Sequence, residues 1–231
     1  MTKNNYKILK VKTSTDTDTR FKDIKEPLIK PPFLGIINGS VRTGKSNLIM
    51  NFLYNNNFYK GSFDKVIFIS PTVQNDVTLK HLYEDEEIMK INDGLENIDN
   101  ILKEIIKQKE EDEDERSLHY LIILDDCLGY IKPKSYLSYL CSRYRHFKTS
   151  LLITSQNFRA LGPILRINAT FYLLFKTTNR KEFIKYEEEF GSLFEHFSDM
   201  YDVATKEPYH FLYLDLRCIN AYHNFEKKLN S

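Results

Sequence analysis

The sequence has no apolar run long enough to cross a membrane. Its most hydrophobic stretches, such as Leu121 to Leu124 and Leu151 to Ile153, are only strand-sized. The N-terminus is polar and basic and carries no apolar h-region, so neither a signal peptide nor a membrane span is expected. Cysteine is scarce: Cys127, Cys141 and Cys218 are odd in number, widely spaced and form no CxxC pair. This argues against a disulfide framework or a zinc site and fits a reducing compartment. Surplus charge is missing as well. Charged residues make up 28% of the chain, yet the formal net charge is +1. The chain as a whole therefore carries no mark of a nucleic-acid or membrane-surface protein, and any basic patch has to be local. There is no internal repeat.

What is present is enough apolar material, 42% of 231 residues, for one sizeable core. Residues 1–30 are polar, with a Thr/Asp stretch from Thr13 to Thr19, and read as an arm with an edge strand near Tyr6 to Val11. Pro31 and Pro32 then open a single domain over residues 31–231. Apolar, β-branched runs predict strands at Phe33 to Asn38, Lys65 to Ser70, Tyr120 to Leu124, Ser150 to Ile153, Ala169 to Phe175 and Tyr209 to Leu214. Helical periodicity marks Asn47 to Tyr54, Leu95 to Gln108, Ser135 to Arg145, Lys181 to Phe190 and Ser192 to Val203. The acidic run Glu110 to Glu115 reads as a solvated loop or helix end, with a regulatory or partner contact as the alternative. Uniformly apolar strands alternating with helices predict an α/β domain with a mostly parallel sheet flanked by helices.

Gly39-Ser40-Val41-Arg42-Thr43-Gly44-Lys45-Ser46 matches the pattern GxxxxGK(S/T) in full, between an apolar strand and the helix that Asn47 continues. Glycines allow successive backbone N–H groups to curl around phosphate oxygens, and the helix N-terminus adds its positive dipole end. Lys45 is placed for the β- and γ-phosphates, and the Ser46 hydroxyl for Mg²⁺. Binding of ATP with Mg²⁺ is the expectation, with residues 39–47 as its contacts. A second signal is Tyr120 to Leu124 followed by Asp125 and Asp126. A buried strand ending in two carboxylates delivers both to the edge of the sheet where ligands bind. Asp125 is expected on the metal and Asp126 as the base for an attacking water. The alternative is an Asp pair that merely caps a turn. A third strand ends in Thr154-Ser155-Gln156, a polar trio suited to sensing the γ-phosphate, with Gln156 able to donate and accept at once.

The ordered set GSVRTGKS, KVIFISPT, LIILDD, SRYRHFKTSLLITSQ and NATFYLLFK resembles the genome-packaging ATPases of large DNA viruses and virophages, the poxvirus-type branch of the FtsK–HerA superfamily. The resemblance covers residues 33–216. It implies an additional-strand, RecA/FtsK-like P-loop fold and ATP hydrolysis coupled to movement of double-stranded DNA. It also implies a pentameric or hexameric ring docked on a capsid vertex or portal-like component, in the host-cell cytoplasm, a viral factory or the virion. Arg145 stands where FtsK-like pumps carry the arginine before their Gln-terminated strand, which implies nucleotide sensing or a subunit interface. The family often has Asp-Glu after the second strand, where this chain has Asp-Asp. Arg166 is the first candidate for a trans-acting arginine and Arg143 the second, with surface ion pairs as the alternative. Lys132, Lys134, Lys176, Arg180, Lys181 and Lys185 are the candidates for phosphate contacts to DNA. Two other classes share the phosphate loop: a small nucleotide or nucleoside kinase, and a non-catalytic nucleotide-gated module.

Overall fold

The computed structural model describes residues 19–132 and 134–229. The strand expected near Tyr6 to Val11 lies outside them. In chain order the elements are β1 (Leu34–Asn38), α1 (Lys45–Tyr54), β2 (Lys65–Ile69), α2 (Lys80–Glu84), β3 (Ile88–Ile91), α3 (Ile98–Glu111) and α4 (Glu113–Arg116). They continue with β4 (Tyr120–Leu124), α5 (Tyr136–Arg143), β5 (Thr149–Ser155), α6 (Pro163–Asn168), β6 (Phe171–Phe175), α7 (Arg180–Phe190), α8 (Phe197–Ala204), β7 (Phe211–Asp215), β8 (Asn220–His223) and β9 (Lys227–Leu229).

All nine strands form one sheet in the order β3-β2-β4-β5-β1-β6-β7-β8-β9. The first six in that order are mutually parallel, and β7, β8 and β9 are added antiparallel. Strand β5 stands between the phosphate-loop strand β1 and the acidic strand β4, which is the additional-strand arrangement. Every residue of β1, β4, β5, β6 and β7 is buried, as required of strands covered on both faces.

Alternation along the strands divides the core in two. On one face Leu34, Ile36, Ile122, Leu124, Leu151 and Ile153 meet α3, α5, α7 and α8. On the other, Ile37, Leu121, Ile123 and Leu152 meet Leu48, Ile49 and Phe52 of α1. Phe21, Ile24, Leu28 and Ile29 join this second cluster. The stretch read as a polar arm through residue 30 is thus, from Phe21 onward, part of the packed domain. Each such side chain gives about 1.5–3 kcal/mol on burial, too much for a free arm to forgo.

The acidic run is a helix end, as expected: it closes α3 and forms α4, with Asp112 capping the latter through Asp114 N–H. The single helix expected over Ser192 to Val203 starts only at Phe197. Strands β3, β8 and β9 were not expected. The three cysteines are unpaired thiols.

Candidate active site

Strand β1 delivers the phosphate loop and is tied to β5 where both end. Gly39 N–H and Asn38 Nδ2 both donate to the Ser155 carbonyl, at 3.0 and 3.1 Å. Tyr186 of α7 donates its hydroxyl to Asn38 Oδ1. A Cβ at Gly39 would lie 2.6 Å from Phe175 Cβ and 2.7 Å from Thr43 Oγ1, so no side chain fits there. Gly44 caps α1 at φ 106°, a conformation open to glycine at little cost. Lys45 is folded back into the loop, donating to the Gly39 carbonyl at 2.8 Å and the Ser40 carbonyl at 2.9 Å. Burial lowers its pKa, while the charges of Asp126 and Asp125 act the other way.

Asp125 and Asp126 follow β4 and are held by one hydroxyl of β5. Thr154 Oγ1 donates to Asp125 Oδ1 at 2.7 Å and accepts Asp126 N–H at 3.0 Å. Ser70, at the end of β2, donates to Asp125 Oδ2 at 3.3 Å. Burial pushes the Asp125 carboxyl above its ordinary value and the Asp126 charge adds to this; the hydroxyls of Thr154 and Ser70 and the Lys45 ammonium oppose it. Asp126 adopts φ 52°, uncommon outside glycine, which turns its carboxylate to where Gln156 Nε2 donates to Oδ2 at 2.8 Å. The trio at the end of β5 thus splits its work: Thr154 fixes the carboxylates, Ser155 anchors the phosphate loop through its carbonyl, and Gln156 meets Asp126.

These groups share one open hollow of about 620 Å³ lined by the loop residues from Val41 to Asn47 (Thr43 apart), Asp125, Asp126 and Gln156. Asp76, after β2, lines it too and accepts from Ser46 Oγ at 2.9 Å. The donors gathered there are a hydroxyl and carboxylates, the hard oxygen set that suits Mg²⁺, while the Cys127 thiol beside them is bound to the carbonyls of Ile69 and Asp125. Among the described residues no cluster of three or more His, Cys, Asp or Glu could hold a metal by itself. A cation here needs the phosphates and water as further ligands, as Mg²⁺ ordinarily does.

Residues 19–188 match the poxvirus A32 protein family. The chain belongs to that family. No curated protein matches the sequence. Among solved structures, the genome packaging NTPase B204 from Sulfolobus turreted icosahedral virus 2 in complex with ATP-gammaS is similar at 17% identity and TM-score 0.62, over 84% of this chain and 96% of that one. Its AMP complex gives 18% and 0.64 over the same shares. The cytoplasmic domain of the Thermomonospora curvata type VII secretion ATPase EccC is similar at 15% and 0.55, over 85% of this chain and 23% of that one. These are likenesses of fold.

In this A32-family member the expected arginines stand apart from the hollow. Arg145 precedes β5 and so lies by the edge where the parallel strands begin, beside Thr170 and Arg217. Seven residues of β5 separate it from Gln156, roughly 20 Å at the rise of a strand. Arg145 thus stands away from the hollow of its own chain, and its Nε donates to Tyr144 Oη at 3.0 Å. Arg166 pairs with Glu189 at 3.2 Å, and Arg143 lies over the Tyr139 ring at 4.8 Å. Of the candidate DNA contacts, Lys132, Lys134, Lys176, Arg180 and Lys181 are exposed in segments that follow β4 and β6, while Lys185 pairs with Glu188. Asp76 escaped the sequence reading. Its position in a loop after β2 carries no periodic or motif signal.

Proposed function

We propose that this chain is an ATP-hydrolysing motor that moves double-stranded viral DNA into a capsid. The observation that carries the hydrolytic part is the Asp126–Gln156 hydrogen bond across from Lys45 and Ser46. It joins the residues that follow two adjacent strands beside the loop, which supports Asp126 as the general base and Gln156 as the γ-phosphate reader. The DNA and packaging part rests on membership of the A32 family and on the fold shared with B204, itself a genome packaging NTPase.

In this reading the loop N–H groups and Lys45 hold the β- and γ-phosphates, with Lys45 leaving its two carbonyl partners to reach them. Ser46 and Asp125 hold Mg²⁺, which when bound offsets charge on the phosphate oxygens. Asp126 takes the proton of the attacking water as its oxygen bonds to the γ-phosphorus and the bond to the ADP oxygen breaks. Gln156 keeps the Asp126 carboxylate in line and faces the γ-phosphate. Such positioning and charge stabilisation supply most of the catalysis in phosphoryl transfer. Arg145, Arg166 and Arg143, being outside the chain's own hollow, serve a neighbouring copy in a ring of five or six, docked on a capsid vertex or portal-like component. The exposed Lys132, Lys134, Lys176, Arg180 and Lys181 track DNA phosphates. Work in the host-cell cytoplasm, viral factory or virion follows from the same reading.

The test is the rate of phosphate release with and without double-stranded DNA, together with sizing in the presence of an ATP analogue. DNA should stimulate hydrolysis, and a species larger than a monomer should form. Lys45→Ala should lower hydrolysis on the order of 10³-fold. Undiminished hydrolysis by Lys45→Ala would overturn the site. Transfer of phosphate to an added nucleotide would favour a kinase instead.

A further inference from the structure

A second hollow of about 640 Å³ lies beside the first and shares Gly44, Asn47 and Tyr209 with it. It runs along the α1 face that carries Asn47, Leu48 and Asn51, and its far wall is aromatic, with Phe58, Phe211 and Phe225. Tyr209 stands where the two hollows meet. Its ring lies over the loop, with Cδ1 3.4 Å from where a Cβ on Gly44 would be. The side chain is 70% exposed although its neighbours Phe175 and Phe211 are buried. Its backbone is left-handed at φ 68°, a conformation that bulky side chains avoid. Asn224 on the same rim is also left-handed, at φ 53°, and accepts Phe211 N–H through Oδ1 at 3.2 Å. Of the six described non-glycine residues with positive φ, Arg42 and Asp126 line the first hollow and Tyr209 and Asn224 the second or both. Backbone strain that persists around a cavity points to use of that cavity.

We propose that the second hollow receives the nucleoside half of the triphosphate and that Tyr209 closes over it. This deepens the reading of the phosphate loop and rests on it. A triphosphate laid along residues 39–46 has its α-phosphate end near Asn47, the residue common to both hollows, so ribose and base continue along α1. The wall offers ring faces and amides, with Lys25, Glu26 and Glu226 also in its lining. With Phe58, Phe211, Phe225 and Tyr209 around the base, stacking is the main contact; every base can satisfy it, so purines are held more firmly than pyrimidines by their larger area while ATP and GTP bind alike.

The experiment is calorimetric titration of the full chain with a non-hydrolysable ATP analogue, the matching GTP and CTP analogues, and inorganic tripolyphosphate, each with Mg²⁺. Tyr209→Ala should weaken the ATP analogue about tenfold, the worth of one base–aromatic stack, and leave tripolyphosphate unchanged. Tyr209→Phe should restore wild-type binding. Asn57→Trp, which fills the hollow from an exposed position, should weaken the nucleotide but not tripolyphosphate. Equal loss of both ligands in Tyr209→Ala, loss of neither, or strong preference for one purine would overturn the proposal. Failure of the wild type to bind tripolyphosphate would instead overturn the phosphate-loop reading beneath it.

Discussion

Where the parallel strands end, polar side chains bond from strand to strand and leave functional groups facing a hollow. Asn38 and Gly39 reach the Ser155 carbonyl, Thr154 joins Asp125 to Asp126, and Gln156 meets Asp126. Where the strands begin, polar groups close on local partners instead. Lys65 and the Tyr120 hydroxyl both bind Glu115, buried Lys109 donates to the carbonyls of Glu115, Arg116 and Leu118, and Arg217 pairs with Asp215. Backbone strain is found at both edges: Arg42, Asp126 and Tyr209 take left-handed conformations at the first, and Lys148 and Ile219 at the second, at a cost of order 1–3 kcal/mol each. One edge spends stability on holding a constellation in place, and the other completes the fold.

Asp126 is where a single substitution should cost the first edge most. Asp126→Asn keeps the shape and leaves a side chain that cannot take a proton. Hydrolysis should fall about 10²–10⁴-fold, the range of general-base contributions, while calorimetric affinity for a non-hydrolysable ATP analogue stays near that of the wild type. Equal loss of binding and turnover would mean that Asp126 only shapes the turn. Thr154→Val comes next. Valine keeps the volume but strips Asp126 N–H and Asp125 Oδ1 of their partner in a fully buried position. Urea unfolding should show a loss of about 1–3 kcal/mol. A neutral result would mean that water replaces the hydroxyl and that this edge is less rigid than its hydrogen bonds suggest.

Much of the first edge was legible because the phosphate loop is a local pattern and the acidic pair ends a wholly apolar strand. Both signals lie within eight or fewer consecutive residues, so no long-range placement was needed to read them. Strands β1, β2, β4, β5, β6 and β7 were visible for the same reason, since each has a run of buried apolar residues at its centre. The strands β3, β8 and β9 were not. Ile88–Ile91 includes Lys90, Asn220–His223 is half-buried, and Lys227–Leu229 is largely exposed. Their pairing is decided by the neighbour strand rather than by their own composition. Phe21, Ile24, Leu28 and Ile29 were hidden among charges without a period. Asp76 and Tyr209 meet the site only because distant loops converge there. Arg145 precedes β5 as the sequence places it, but only the fold sets it at the edge away from the hollow.

The smallest effect is expected at that other edge, and it completes the contrast. Hydrogen bonds from the Tyr120 hydroxyl and from Lys65 hold the Glu115 carboxyl below its ordinary value. A carboxylate whose folded pKa is lowered binds fewer protons folded than unfolded. Its contribution is therefore present above the unfolded pKa and fades as pH falls through the folded one. Wild type should exceed Glu115→Gln in urea stability at neutral pH by less than about 1 kcal/mol, since the pair is partly exposed at 39% and 31%. The gap should close as pH drops below the usual carboxylate range, and high salt should shrink it at any pH. Salt should leave the Thr154→Val deficit in place, because that hydroxyl is buried and uncharged. If salt erased both deficits alike, the two edges would be held by the same kind of force, and the distinction between an edge that lines the hollow and one that completes the fold would fail.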